Sequence, residues 1–245
     1  MFNYKLILQY DGGRYKGWQR LGQGEATIQY KLEQVLTQLT GQPTEIIGCS
    51  RTDAGVHALA QVANFKSAHR FSCEEIMNYM KRYLPQDIVV TEASLVDEQF
   101  HARYHAKSKT YLYKIWNKEY PNPFMRKYSM HVDEPLDLKA MQEASTYMLG
   151  THDFTAFSNA KSKKKSMHRT IYSIRFEEID GFFNIRIQGD GFLYNMVRWM
   201  VGTLVAVGLG RIKGEEIPEI FDLKQRNRTG DLADAAGLYL EKITY

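Results

Sequence analysis

The segment FLYNMVRWMVGTLVAVGL, Phe192 to Leu209, carries a single charged residue, Arg198, in eighteen positions. A run of that length and polarity folds either as a membrane span or as a helix enclosed by protein on nearly all sides. The arginine near its middle, Asn195, and the lack of a second long apolar run favour the enclosed helix of a soluble protein. A guanidinium stays charged at any working pH, so an enclosed Arg198 requires a carboxylate or an anionic ligand beside it. The rest of the chain has to deliver that partner.

Strand and helix signals alternate on the way to this segment. NYKLILQY, residues 3–10, reads as a strand and is followed by a Gly-rich turn at residues 11–13. TIQYKLEQVLTQLTG then puts Ile28, Leu32, Val35, Leu36 and Leu39 on one helical face and ends at Gly41, suited to a C′ position. EIIGCS and ALAQVANF are two short strands joined by RTDAGVH. Ser72 with Glu75 spells a capping box for a helix to about Leu84, and DIVVTEASLV closes the series as a strand. The order is β-α-β-β-α-β, the split βαβ unit of ferredoxin-like folds.

The same order returns without a matching sequence period. KTYLYKIWN is a strand, Leu138–Leu149 a helix, and TIYSIRFEEI and FFNIRIQG are strands around the tight turn Asp180-Gly181. The apolar helix follows from about Phe192, and GLYLEKITY ends the chain as a strand. The expected fold is α+β: two ferredoxin-like halves, residues 1–100 and 101–245, whose antiparallel sheets face a central cleft, with residues 97–108 as the crossing point. At 44% hydrophobic residues there is enough apolar material for both cores.

Charge separates the halves. Residues 1–100 hold 10 basic and 11 acidic side chains, residues 101–245 hold 22 and 17. Arg103 to Lys127 carries seven basic residues and only Glu119, with Tyr104, Tyr111, Tyr113 and Trp116 between them, and Lys161, Lys163, Lys164 and Lys165 crowd one short loop. Cations interleaved with aromatics suit a polyanion such as nucleic acid. The N-terminus shows no secretory pattern, and Cys49 and Cys73 have no metal or disulfide spacing, which makes a cytoplasmic location the expectation.

The loop GCSRTDAGVHALAQVANF places Arg51, Asp53 and His57 between two strands. Asp-Ala-Gly alone reads as an Asx turn with Gly55 supplying a positive φ. At the edge of a cleft, with Arg51 two residues away, the same loop can carry chemistry on a rigid frame. A carboxylate held by a fixed arginine stays ionised, which suits a nucleophile better than a general acid.

This stretch resembles the signature of the TruA-type tRNA pseudouridine synthases. YDGGRYKGWQ (10–19), FHARYHAKSKTYLY (100–113), NMVRWMVGTL (195–204) and GLYLEKITY (237–245) agree with the family in order, so the resemblance spans essentially the whole chain. It implies two ferredoxin-like halves around a basic cleft, a homodimer, and conversion of uridine to pseudouridine at positions 38 to 40 of the tRNA anticodon arm. By motif, Asp53 matches the nucleophile and Arg51 the residue entering the space left by the flipped nucleotide. Tyr111 matches the tyrosine stacked on the target base, and Arg198 the arginine paired with the aspartate. Arg103 and the four lysines are candidate contacts to the tRNA backbone. The chain departs from the family at Ser50, where glycine is usual, and in GDLADAAGLYL, where proline and threonine are usual.

The remaining signals are weaker. His101 and His105 stand four apart but lack HExxH and a third ligand, so no metal is expected. Gly202, Gly208 and Gly210 follow no strand as a dinucleotide fingerprint would, and read as close packing or a C-cap; no cofactor is implied. Two other functions compete: a non-catalytic RNA-binding or tRNA-folding module, which need not keep Arg51, Asp53, Tyr111 and Arg198 together, and a carboxylate-dependent hydrolase, which needs a second acid or a metal.

Overall fold

Phe2–Tyr10 form strand β1, in which Tyr4, Leu6, Leu8 and Tyr10 are buried at every second position, as one apolar face of a pleated strand demands. The computed structural model describes residues 1–22, 24–159 and 166–245, a mixed α+β chain. After β1 come α1 (Ile28–Thr40), β2 (Ile46–Gly48), β3 (His57–Ser67), α2 (Cys73–Tyr83) and β4 (Ile88–Val96). β1 pairs antiparallel with β3, from Phe2 opposite Ser67 to Tyr10 opposite Ala58, and on its other edge with β4; β2 pairs antiparallel with β3.

The helix ends follow the sequence closely. Thr27 caps α1, and Gly41 closes it in the left-handed region at φ 71°. Ser72 and Glu75 form the reciprocal capping box of α2. The buried faces of these helices, Ile28, Leu32 and Leu36 with Ile76 and Met80, complete the core begun by β1 and by Phe65 of β3. Each such side chain contributes about 1.5–3 kcal/mol on leaving water.

The second set of elements is β5 (Ser108–Asn117), β6 (Met130–Val132), α3 (Leu138–Ser145), β7 (Gly150–Asp153), β8 (His168–Ile179), β9 (Phe182–Gly189), α4 (Met196–Gly208) and α5 (Ile217–Leu223). β5, β9, β8 and β7 are successive antiparallel neighbours, and β6 lies parallel to the end of β5. Asp180 and Gly181, at φ 51° and 82°, make the hairpin turn between β8 and β9, the double left-handed conformation that an Asp-Gly pair favours. The apolar helix α4 starts at Met196, four residues later than its periodicity predicts. Asn195 takes φ 61° and breaks helical geometry there, which asparagine tolerates better than most residues. Among the described residues no helix is long and apolar enough to cross a membrane.

The final strand, β10 (Leu238–Thr244), pairs in parallel with β3 through Tyr239 opposite His57 and Leu240 opposite Ala58. Residues Met1–Lys107 with Tyr239–Tyr245 form one compact unit and Ser108–Leu238 another. In the first, residues 97–107 are held against the sheet by buried amides. Asn3 Nδ2 donates to the carbonyls of Asp97 and Phe100, both at 2.9 Å, and Asn64 donates to Asn3 Oδ1 and accepts from Ala102 N–H at 2.9 Å. Cys49, Val62 and Ala102 make a small apolar cluster beneath, joined by Ile7, Phe100 and Ile243. Tyr245 donates to the Ala102 carbonyl at 2.7 Å.

Asn64→Ala leaves the Ala102 amide and the Asn3 side-chain carbonyl without their partners. A cost of about 1–3 kcal/mol for each group left unsatisfied is expected. Urea denaturation measures the loss, and hydrogen exchange at the Ala102 amide should accelerate with it.

Candidate active site

Glycine contacts seat the Asp53 loop. A Cβ on Gly12 would fall 1.9 Å from the Val56 carbonyl oxygen, and one on Gly17, at φ 94°, would fall 2.7 Å from that of Thr52. The turn 11–18 therefore lies backbone to backbone against residues 52–56, an approach only glycine allows. Hydrogen bonds fix the contact: Trp18 N–H donates to the Thr52 carbonyl at 3.0 Å and Gly55 N–H to the Tyr15 carbonyl at 3.2 Å. Val56 N–H closes back on the Asp53 carbonyl at 3.2 Å, and Gly55 takes φ 79°. Asp53 is half-buried on this turn, and Arg51 is exposed.

Buried side chains hold the loop from within. Tyr10 Oη lies 2.7 Å from Thr52 Oγ1; Gln61 donates to the Ser50 carbonyl at 2.7 Å and accepts from Ser50 N–H at 3.2 Å. Burial pushes the Tyr10 hydroxyl well above the usual tyrosine range, against the pull of its bonds to Thr52 and Gln61, so it stays protonated. His57 is buried, accepts from Gly12 N–H through Nδ1 at 3.1 Å, lies 3.1 Å from Asp11 Oδ1 and stacks on Tyr239 at 4.9 Å. His57 is thus part of the frame that seats the turn. Ser50 has no positive φ, so its position does not require the glycine that the family usually has.

One ion pair ties this frame to the next strand. Arg14 bonds Asp87, Tyr15 Oη donates to Asp87 Oδ1 at 2.6 Å, and Asp11 N–H donates to the Asp87 carbonyl at 3.0 Å. Partial burial would raise the Asp87 carboxyl, but the bonds from Tyr15 and Arg14 hold it below the usual carboxylate range.

In the second unit Tyr111 is buried on β5, its ring edge-on to Phe192 with centroids 5.0 Å apart. Arg198 is half-buried on α4, and its Nε donates to the Ala233 carbonyl at 2.6 Å. The segment 229–234 reaches that position by pressing its backbone onto the helix. A Cβ on Gly202 would meet the Asp231 carbonyl oxygen at 1.7 Å, and one on Gly230 the Gly202 oxygen at 2.2 Å. Gly230 N–H donates to Thr203 Oγ1, and Tyr113 Oη donates to the Asp234 carbonyl at 2.7 Å. This is the course of the atypical GDLADAAG stretch. Gly202 and Gly208 are packing glycines, as their spacing predicts, and Gly210 takes φ 68° just beyond the helix.

Arg103 is half-buried in the first unit, on a turn where its N–H and that of Tyr104 donate to His101 Nδ1 at 3.1 and 3.2 Å. Lys161, Lys163, Lys164 and Lys165 lie outside the described residues. Among the described residues no group of three or more His, Cys, Asp or Glu is placed to hold a metal ion. The sequence singles out Asp53 and Arg51 as candidates by their charge, but not Tyr10, Tyr15, Thr52, Gln61 and Asp87, which hold their loop and its flanking turn. Tyr10 and Tyr15 fall in YDGGRYKGWQ, which reads locally as a turn, Thr52 and Gln61 in GCSRTDAGVHALAQVANF beside the charged residues, and Asp87 at the start of DIVVTEASLV.

Residues 6–105 and 144–245 match the family model described as tRNA pseudouridine synthase. A tRNA pseudouridine synthase A of Bacillus sp. (strain KSM-64) is 60% identical over 245 residues, and a tRNA pseudouridine synthase A 2 of Bacillus anthracis is 58% identical, each alignment covering both chains completely. A tRNA pseudouridine synthase A of Acetivibrio thermocellus is 46% identical over the same span.

The Asp87 contacts predict an acid limb. Because its carboxyl is lower in the fold than in the unfolded chain, near pH 4 there, its stabilisation is complete above that value and fades as pH falls through the folded one. Asp87→Asn should lower stability by a constant amount at neutral pH, and the difference from the parent should shrink below about pH 4. Urea midpoints measured across pH 3 to 7 test this; a gap that persists to low pH would assign the effect to shape alone.

Proposed function

The chain belongs to the tRNA pseudouridine synthase family, and on that footing we propose that it converts uridine to pseudouridine at positions 38, 39 and 40 of the anticodon stem-loop, with Asp53 as nucleophile. The enzyme is an isomerase that acts on tRNA. Its reaction breaks the C1′–N1 glycosidic bond, turns the uracil, and joins C5 to C1′; the C5 hydrogen leaves as a proton and N1 takes one up. Nothing is oxidised, and the chemistry asks for an ionised carboxylate, a platform for the base and a path for the extruded nucleotide.

The observation that carries this reading is the framed loop: a half-buried aspartate and an exposed arginine on one turn whose backbone is clamped on both sides. Asp53 attacks as the carboxylate, whether at uracil C6 or at ribose C1′. Arg198 is the guanidinium that this reading pairs with it. Arg51 enters the gap left in the stacked loop. Tyr111 supplies the platform, and its neighbour Phe192 sets its tilt. Arg103 and Lys161, Lys163, Lys164 and Lys165 hold phosphates as point charges and leave the chemistry alone.

This reading takes the chain as two ferredoxin-like halves around a basic cleft, working as a homodimer in the cytoplasm. The order β4-β1-β3 with β2 on the far edge of β3 supports the first half of that description.

Asp53→Asn should abolish the release of tritium from [5-3H]uridine in tRNA while tRNA affinity stays within a few fold. Substantial release by this variant would remove Asp53 from the mechanism. Tyr111→Phe should bind tRNA and turn it over nearly as the parent does, since the stacking face remains. Tyr111→Ala should lose roughly 1–3 kcal/mol of stacking in the catalytic complex. Equal behaviour of the two variants in single-turnover assays would show that the ring is no platform.

A further inference from the structure

The loop before Asp53 is clamped at two alternate residues by side chains that never reach the surface. The antiparallel ladder between β2 and β3 has its last main-chain bond at Cys49 N–H to the Val62 carbonyl, 2.8 Å. Beyond that point the side chain of Gln61 stands in for a strand. Its amide gives and takes a bond with the main chain of Ser50, at 2.7 and 3.2 Å. A side chain reaches further than a neighbouring backbone, so residue 50 is held while the chain turns out of the sheet. Two residues on, Thr52 Oγ1 meets Tyr10 Oη at 2.7 Å, and that hydroxyl lies 3.5 Å from Gln61 Nε2. Gln61, Tyr10, Ser50 and Thr52 are all buried. Arg51, between the two clamped residues, is exposed, and Asp53 comes directly after.

We propose that Tyr10, Thr52 and Gln61 are positioning residues for Asp53: a neutral hydrogen-bond chain that fixes the backbone from Ser50 to Thr52 and thereby the reach of the carboxylate. The proposal rests on the reading of Asp53 as nucleophile. Every member of the chain is uncharged, so it sets geometry without changing the field at the carboxylate. Losing it should therefore slow the chemical step far more than it weakens tRNA binding, because the phosphate contacts and the base platform belong to other residues and Arg51 keeps its charge and its exposure. Displacements of about 1 Å at a reacting group cost on the order of a hundredfold in rate.

Gln61 variants strip both main-chain partners of a buried residue and endanger folding, so the hydroxyl pair provides the test. Tyr10→Phe and Thr52→Val each remove one oxygen and keep the shape, and Thr52→Ser keeps the hydroxyl. Single-turnover tritium release at saturating tRNA, tRNA affinity and melting temperature are measured for each, with Asp53→Asn in parallel. The expected result is a rate loss of roughly tenfold to a hundredfold in Tyr10→Phe and Thr52→Val, affinity within twofold, and recovery in Thr52→Ser to within a few fold of the parent. The double variant Tyr10→Phe/Thr52→Val should be no slower than the slower single one, because both remove the same bond. Parent-like rates in Tyr10→Phe and Thr52→Val beside an inactive Asp53→Asn overturn the positioning role alone. So does a lowered melting temperature without loss of rate, which marks a structural bond only. An active Asp53→Asn overturns the nucleophile reading and this one with it.

Discussion

In the first unit two stretches of backbone press together where Gly12 and Gly17 meet residues 52–56 with no room for a Cβ. The aspartate, the exposed arginine and the turn that carries them all depend on this contact. The second unit repeats the device: Gly202 and Gly230 let the 229–234 segment lie on α4, and its Ala233 carbonyl takes the Nε of Arg198. The aspartate and the arginine proposed for catalysis are thus each held by backbone that glycine admits. Apolar packing sets the elements in place, but at about 0.8 kcal/mol for each buried CH₂ it is indifferent to a shift that would misaim a carboxylate. Contacts with no tolerance for an added carbon are not.

That difference explains what could be read in advance. α1 and α2 were legible because apolar periodicity and capping residues fell on the same boundaries, and the turn at Asp180-Gly181 because both its residues accept a positive φ. β6 and β7, three and four residues long, carry too few alternations to register as strands, and α5 at seven residues spans barely two helical turns. Asp53 and Arg51 were legible as candidates because their charges stand out between apolar strands. Tyr10 and Gln61 were not, because in a strand they alternate like any half-polar residue. Their partners lie 42 and 11 positions away, at Thr52 and Ser50. The start of α4 was misplaced because apolar pattern continues back through Phe192, while the left-handed turn at Asn195 depends on backbone that the pattern does not encode.

The departures from the family pattern also fall into place locally. Ser50 spends both main-chain groups on Gln61 and takes no left-handed angle, so a serine costs nothing that a glycine would save. In GDLADAAG both glycines are tightly packed, Gly230 against α4 and Gly237 against the Lys114 carbonyl, and two residues between them serve through their carbonyls, Ala233 to Arg198 and Asp234 to Tyr113. Main-chain acceptors do not depend on the identity of the side chain, which is why this stretch can vary while its partners keep their bonds.

Charge is placed with the same selectivity. The bonds from Gln61 and Tyr10 to residues 50 and 52 are neutral, and an ion pair of the frame, Arg14 with Asp87, acts at one remove. Its carboxylate fixes the Tyr15 hydroxyl, and the Tyr15 carbonyl receives Gly55 N–H two residues past Asp53. A fixed charge placed directly against the loop would shift the ionisation of Asp53 and be felt again as negative charge moves to the substrate. Arg14 is 79% exposed and screened by water, so it can hold geometry while adding little to that field. Neutral bonds beside Asp53 and an ion pair behind them give the loop rigidity without bringing a further formal charge against it through these contacts.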